Sequence, residues 1–267
     1  MSLLAWLGRL FAAPAPALPA APAPLPPAVP VAAVGDPPSV VVTETMVRQG
    51  FPRCADPAAW AKALTAAFAR FPAFTPLGAA TIIAKAQVET GGLTRWDENL
   101  NYSKPEQLLR MHGSRAVRTE SAKAALRARP AGGPWPDIAL AEAREICGKP
   151  MACGDRVYAA LGGYEARGGG IVQLTGLDNQ QAFARYLGLT LAQARDHMRT
   201  IEGAALTGPW YVQHFGGQDA ANRGDMREIL RIVAGKRTQA DLAAIWSSIH
   251  GDDQMAAFHR WRGLLEA

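Results

Sequence analysis

Cysteine is scarce: Cys54, Cys147 and Cys153 are the three in a chain of 267 residues. So few, and an odd number, exclude a disulfide scaffold. At most one bridge, Cys147 to Cys153, could form, and unpaired thiols are the simpler reading. Long apolar runs are also missing. No stretch of about 18 consecutive apolar residues occurs, which excludes an ordinary spanning helix, in keeping with a mean hydropathy of −0.04. Clustered positive charge is the third absence. The balance of 28 − 23 = +5 is basic, but the basic residues are interleaved with acids, which argues against a nucleic-acid partner. It suits an anionic partner such as cell-wall polymer. The histidines, His112, His197, His214, His250 and His259, share no short ligand spacing. No metal or cofactor is therefore expected, and each reads as a surface or capping residue. No cysteine carries a nucleophile motif.

What is present is enough for one buried core, with 49% hydrophobic and 19% charged residues. Residues 1–13 place Leu3, Leu4, Leu7, Leu10 and Phe11 at helical spacing. Gly8 and Arg9 interrupt that run and nothing basic precedes it, so it reads less as a cleaved signal than as a short amphipathic segment able to touch a membrane, or as a disordered or locally docked tail. Residues 14–39 carry ten of the 20 prolines, interleaved with alanine. Such a stretch runs as an extended spacer of about 3 Å per residue. The folded domain is expected over 40–267, one domain by length.

Helical signals dominate that domain. Asp56-Pro57 and Thr75-Pro76 each place a capping side chain before a proline in the first turn. The second opens LGAATIIAKAQVET, which stops at Gly91-Gly92. Further helices are expected near 119–129, 137–147, 178–187, 190–199, 202–214, 225–234 and 238–249. Strand signals are weak, the best being VVVTE (40–44) and GIVQL (170–174). The expected fold class is mainly α with a small β element.

Two carboxylates draw notice. Ile82, Ala86 and Glu89 fall four and three residues apart, so Glu89 lies on the core-facing stripe of its helix, at the C-terminal end. Such an acid is paired, or swings into solvent, or has its proton affinity raised by burial; Lys85 is the pairing candidate. Nine residues on, past two glycines, stands Glu98 in WDENLNYS (96–103). Two carboxylates flanking a groove are the apparatus of glycoside hydrolysis. Asn99, Asn101, Tyr102 and Ser103 offer amide and hydroxyl groups suited to sugars, or a plain surface turn. A third block, YEARGGGIVQLTGLDN (164–179), alternates Gln173 and Thr175 with apolar residues, which would set both on one face of a short strand. Its glycines permit close backbone approach, and it lacks the lysine and strand-to-helix frame of a phosphate loop.

Together QVETGGL (87–93), ENLNYS (98–103) and RGGGIVQLTGLDN (167–179) resemble, in order and spacing, glycoside hydrolase family 19 in its bacterial and phage endolysin branch. The resemblance spans about residues 57 to 246. It implies a lysozyme-like, mainly helical, two-lobed fold with the substrate cleft between lobes. It implies Glu89 as general acid, Glu98 as general base and Thr175 as the hydroxyl that helps hold the attacking water. Asn101, Tyr102, Ser103, Arg167, Gln173 and Asn179 match sugar-binding positions. The chain departs from the pattern at Val88, where a histidine is expected, at Gly169, where an arginine is expected although Arg167 stands nearby, and at Val233-Ala234-Gly235. The implied activity is that of a peptidoglycan-cleaving, monomeric endolysin, made in the cytoplasm and acting at the bacterial wall or periplasm. A chitinase and a catalytically impaired glycan-binding domain are the alternatives.

Overall fold

A computed structural model describes residues 40–236, 238–247 and 249–267. The amphipathic segment 1–13 and the spacer 14–39 lie outside the described residues. The described chain is mainly helical and divides into two compact units. The smaller comprises Glu98–Arg167 with Thr175–Asp178; the larger comprises the chain up to Asp97, Gly168–Leu174 and Asn179–Ala267.

The larger unit opens with α1 (Glu44–Gly50), α2 (Pro57–Ala69) and α3 (Pro76–Glu89). Asp56 and Thr75 cap α2 and α3 through their side chains, each with proline in the first turn, as their sequences predict. In the smaller unit follow α4 (Pro105–His112), α5 (Glu120–Ala128), α6 (Asp137–Arg144) and α7 (Pro150–Val157). The helix α8 (Leu177–Leu187) leads to α9 (Leu191–Met198), α10 (Ile201–His214), α11 (Gln218–Asn222), α12 (Met226–Val233), α13 (Gln239–Ala243) and α14 (Gly251–Leu265).

The larger unit is built around α3. Residues Gly78 through Ala86 are all buried, because α10, α11, α12 and α14 pack against this helix. A helix enclosed on most sides needs small and apolar residues, which the run GAATIIAKA supplies in all but its lysine. The smaller unit has its own core, in which Leu100, Leu108, Leu109, Val117, Ile146 and Tyr158 are buried. One buried acid braces it. Glu142 on α6 accepts hydrogen bonds from the Arg118 and Thr119 amides and the Thr119 hydroxyl, the residue that caps α5.

Three sequence expectations are corrected. VVVTE (40–44) is not a strand. Val40 and Val42 are buried and Val41 exposed, as alternation demands, but the partner of this extended segment is a side chain: Thr65 Oγ1 accepts from Val42 N at 2.9 Å and donates to Val42 O at 3.1 Å. Thr43 then caps α1. GIVQL (170–174) is a closed turn. Leu174 N donates to Gly169 O at 2.7 Å, and Gly170 and Gln173 both sit at positive φ, +76° and +54°. Among the described residues, β pairing amounts to an isolated antiparallel bridge, Asp97 with Gly169. Finally, the helix expected over 238–249 ends at Ala243, and α14 begins after His250, itself in the left-handed region.

The glycines before this turn serve packing. A Cβ on Gly170 would fall 2.3 Å from Thr207 Oγ1 on α10. That closeness lets Ile171 N donate to Thr207 Oγ1 at 3.1 Å and to Ala204 O at 3.2 Å. The close backbone approach that Gly170 permits is thus made to a helix.

Candidate functional site

Each unit carries part of the candidate constellation. In the larger unit, Glu89 is the last residue of α3. The chain leaves the helix through an unusual turn in which Gly91, Gly92 and Leu93 all have positive φ, +62°, +81° and +58°. Leucine at such an angle is strained. Thr90 over-determines the turn: its hydroxyl donates to Ala86 O at 2.7 Å and accepts from Leu93 N at 2.7 Å. Arg53 adds a bond from Nη2 to Gly91 O at 3.0 Å. The Glu89 backbone is therefore held immediately before a braced turn.

The Glu89 side chain is 3% exposed and forms an ion pair with Lys85, which is equally buried. Of the three fates open to Glu89, the structure takes the pairing. Burial alone pushes the Lys85 ammonium down to about 7, and the carboxylate beside it opposes that shift.

In the smaller unit, Glu98 is 5% exposed and accepts a hydrogen bond from the Tyr158 hydroxyl at 2.6 Å. The Tyr158 phenol is raised well above its usual range, by burial first and then by the Glu98 charge, so it stays a donor. Arg115 lies with its guanidinium carbon 5.7 Å from the Tyr158 ring centroid. Its positive field acts on both Tyr158 and Glu98. A donor hydroxyl and a nearby cation together stabilise negative charge on Glu98.

The other expected site residues are distributed as follows. Asn101 and Ser103 are exposed, and Asn101 N is fixed by Asn99 Oδ1 at 2.8 Å. Tyr102 is turned inward at 4% exposure, its hydroxyl 2.9 Å from His112 Nε2. Arg167 is nearly buried, its guanidinium 4.1 Å from the Tyr164 ring centroid. Thr175 is buried in the same unit. Gln173 and Asn179 are half-buried in the larger unit, and Gln173 Nε2 donates to Gly170 O at 3.3 Å. Because Gln173 occupies a positive-φ turn, the alternation expected of a strand does not govern where it and Thr175 point.

Sequence reasoning missed Tyr158 and Arg115, which come to Glu98 from 60 and 17 positions away with no local signal. It also misplaced His112, which is buried rather than a surface or capping residue. Burial, with a smaller push from Arg115, lowers its pKa to about 3. The unfolded chain takes up a proton near pH 6.5 that the folded chain refuses until about pH 3. Stability should therefore fall as pH drops through that window, with a slope approaching about 1.4 kcal/mol per pH unit from this group. Urea unfolding of the parent and His112→Phe between pH 7 and 4 checks it: the variant should lose that part of the slope.

Cys147 and Cys153 are free thiols, the second buried. Burial, followed by the Glu98 charge, pushes Cys153 up to about 12, so it is an inert thiol at neutral pH. Among the described residues, no group of three or more His, Cys, Asp or Glu side chains could hold a metal, and no helix is long and apolar enough to cross a membrane.

No protein-family model matches the sequence. A glycosyl hydrolase family 19 domain-containing protein of Haemophilus influenzae (strain ATCC 51907 / DSM 11121 / KW20 / Rd) is 27% identical over 167 residues, covering 58% of this chain and 70% of that protein. Chitinase C of Streptomyces griseus HUT6037 superposes with a TM-score of 0.52 at 19% identity, covering 85% of this chain and 94% of its own. A mutant of chitinase C superposes with a TM-score of 0.53, also at 19% identity, covering 87% and 96%. The chain shares the mainly helical fold of chitinase C and is similar in sequence to a glycosyl hydrolase family 19 domain-containing protein.

Proposed function

We propose that the protein hydrolyses β-1,4 bonds of the bacterial wall glycan by acid/base chemistry on two carboxylates. The observation that carries this reading is the treatment of the two glutamates. Each falls in a block that resembles the family's motifs, and each side chain is almost fully buried against a partner, Lys85 for Glu89 and Tyr158 for Glu98. Burying an acid is costly, and surface glutamates have no need of it.

In the proposed reaction Glu89 gives its proton to the glycosidic oxygen as the bond to the sugar breaks. Glu98 removes a proton from water as the water attacks the anomeric carbon, in one displacement. Thr175 would hold that water. Arg167, Gln173 and Asn179, with exposed Asn101 and Ser103, would contact sugar hydroxyls, and Tyr102 would support them from the core beside His112. The basic net charge favours an anionic wall polymer over neutral chitin. Action at the wall or periplasm follows, with residues 1–13 as a membrane contact.

The second reading is a chitinase, favoured by the likeness to two chitinase C structures. Mass analysis of digests separates the two. Peptidoglycan should yield muropeptides cut within the glycan and carrying new reducing ends, with little soluble product from chitin oligomers. Product from chitin alone would establish the chitinase, and hydrolysis of neither would leave a glycan-binding domain.

A further inference from the structure

Lys85 is the one charged residue in the buried run of α3. It sits one turn before Glu89, and the two side chains, each 3% exposed, form an ion pair. Around them on α3 lie Ile82, Ile83, Ala84 and Ala86, all buried.

The charged residues on the helices packed against α3 lie as follows. On α14, Asp252, Asp253, His259, Arg260, Arg262 and Glu266 at its end are exposed; His250, at its start, pairs with Asp253. On α10, Glu202 is exposed and His214 half-buried; on α11, Asp219 is exposed. On α12, Arg227 is exposed, and Glu228 pairs with Arg231. Thr207 on α10 and Gln254 on α14 are buried and neutral.

A proton donor must carry its proton before it reacts. With Lys85 charged, protonating Glu89 takes from a buried ammonium the carboxylate charge paired with it, which is unfavourable. We propose that Lys85 is a positioning residue for Glu89 that aims its carboxylate and confines proton donation to acidic conditions. The inference rests on Glu89 being the proton donor. It makes the enzyme one whose alkaline limit is set by a lysine on the donor's own helix. Burial alone would push the Lys85 ammonium down to about 7; the adjacent carboxylate holds the proton on it above that.

The test compares kcat/KM against pH for the parent, Lys85→Met and Lys85→Arg, on peptidoglycan fragments and chitin oligomers, with folding followed by thermal unfolding. Lys85→Met should move the alkaline limb up by about one pH unit or more, the usual effect of removing an opposite charge at contact distance. Lys85→Arg should keep the parent's limb. A folded Lys85→Met variant whose limb coincides with the parent's overturns the proposal.

A second measurement uses the parent protein and needs neither turnover nor a folded variant. Carbon-13 labelling of the glutamate carboxyls, with the Glu89 signal assigned by its loss in Glu89→Gln, should show Glu89 ionised at pH 7 and through pH 5. A protonated Glu89 at pH 7, with a neutral Lys85, overturns the proposal. If the parent cleaves neither glycan, the hydrolase reading fails, and the carboxyl titration still decides how the pair is ionised.

Discussion

Glu89→Gln should lower glycan hydrolysis by about two powers of ten or more. The substitution keeps the outline of the side chain at the end of α3 and removes its only transferable proton. The turn beyond it is held by Thr90 and Arg53 rather than by Glu89, so the local backbone should persist. Stability should change in a pH-dependent way. Without the carboxylate, Lys85 is left as a buried cation whose pKa burial lowers to about 7 against 10.5 when unfolded. Between those values the unfolded chain binds a proton that the folded chain does not. The variant should therefore gain stability as pH rises from 7 towards 10.5 and lose it as pH falls through 7. The double variant Lys85→Met with Glu89→Gln removes the stranded charge and should recover stability at pH 7, with hydrolysis still lost. Turnover by either folded variant at the parent's rate would remove Glu89 from the chemistry.

That pair also shows how much of the site was legible beforehand. Glu89 and Glu98 stand out in the sequence because motif blocks and helix periodicity mark them, and Lys85 is within one turn of Glu89. Tyr158 and Arg115 are invisible at that level, since only the tertiary path of the smaller unit sets them beside Glu98. Many helices were legible where apolar periodicity coincides with a capping side chain: Asp56, Thr75, Thr119, Thr190, Thr200 and Asp225 each accept from the first turn of such a helix. By contrast, α6 was legible by periodicity without a side-chain cap, and α1, capped by Thr43, escaped. The helices that escaped include α4, α7 and α14, which start at Lys104, Lys149 and His250 with no side-chain cap. Their backbone amides lack the local signature that Ser, Thr, Asp or Asn would leave in a sequence. The segment 40–44 failed for the converse reason. Its alternating valines are buried as a strand's would be, but the hydrogen-bonding partner is the single threonine at 65 rather than another strand.

Trp261→Ala should cost about 3–5 kcal/mol of stability, the usual range for emptying the place of a large buried aromatic. The indole is fully buried in α14. It lies against Phe51, with ring centroids 4.8 Å apart, and it covers Gly50 so closely that a Cβ there would fall 2.1 Å from the ring. Its Nε1 donates to Gln87 Oε1 at 3.2 Å, two residues before Glu89. One side chain thus fastens α14 to both α1 and the last turn of α3. Removing it leaves a cavity and deprives Gln87 of a buried donor, two separate costs that the surrounding helices can relieve only by shifting. Trp261→Phe retains most of the packing and loses the hydrogen bond, so it should cost much less. Urea denaturation of the two variants separates the contributions, and a loss below about 1 kcal/mol in Trp261→Ala would show that α14 is not fastened through this residue. Because the shift falls on the turn that carries Glu89, Trp261→Ala should also lower kcat of the folded fraction, whereas a residue that only fills space would leave kcat of that fraction unchanged.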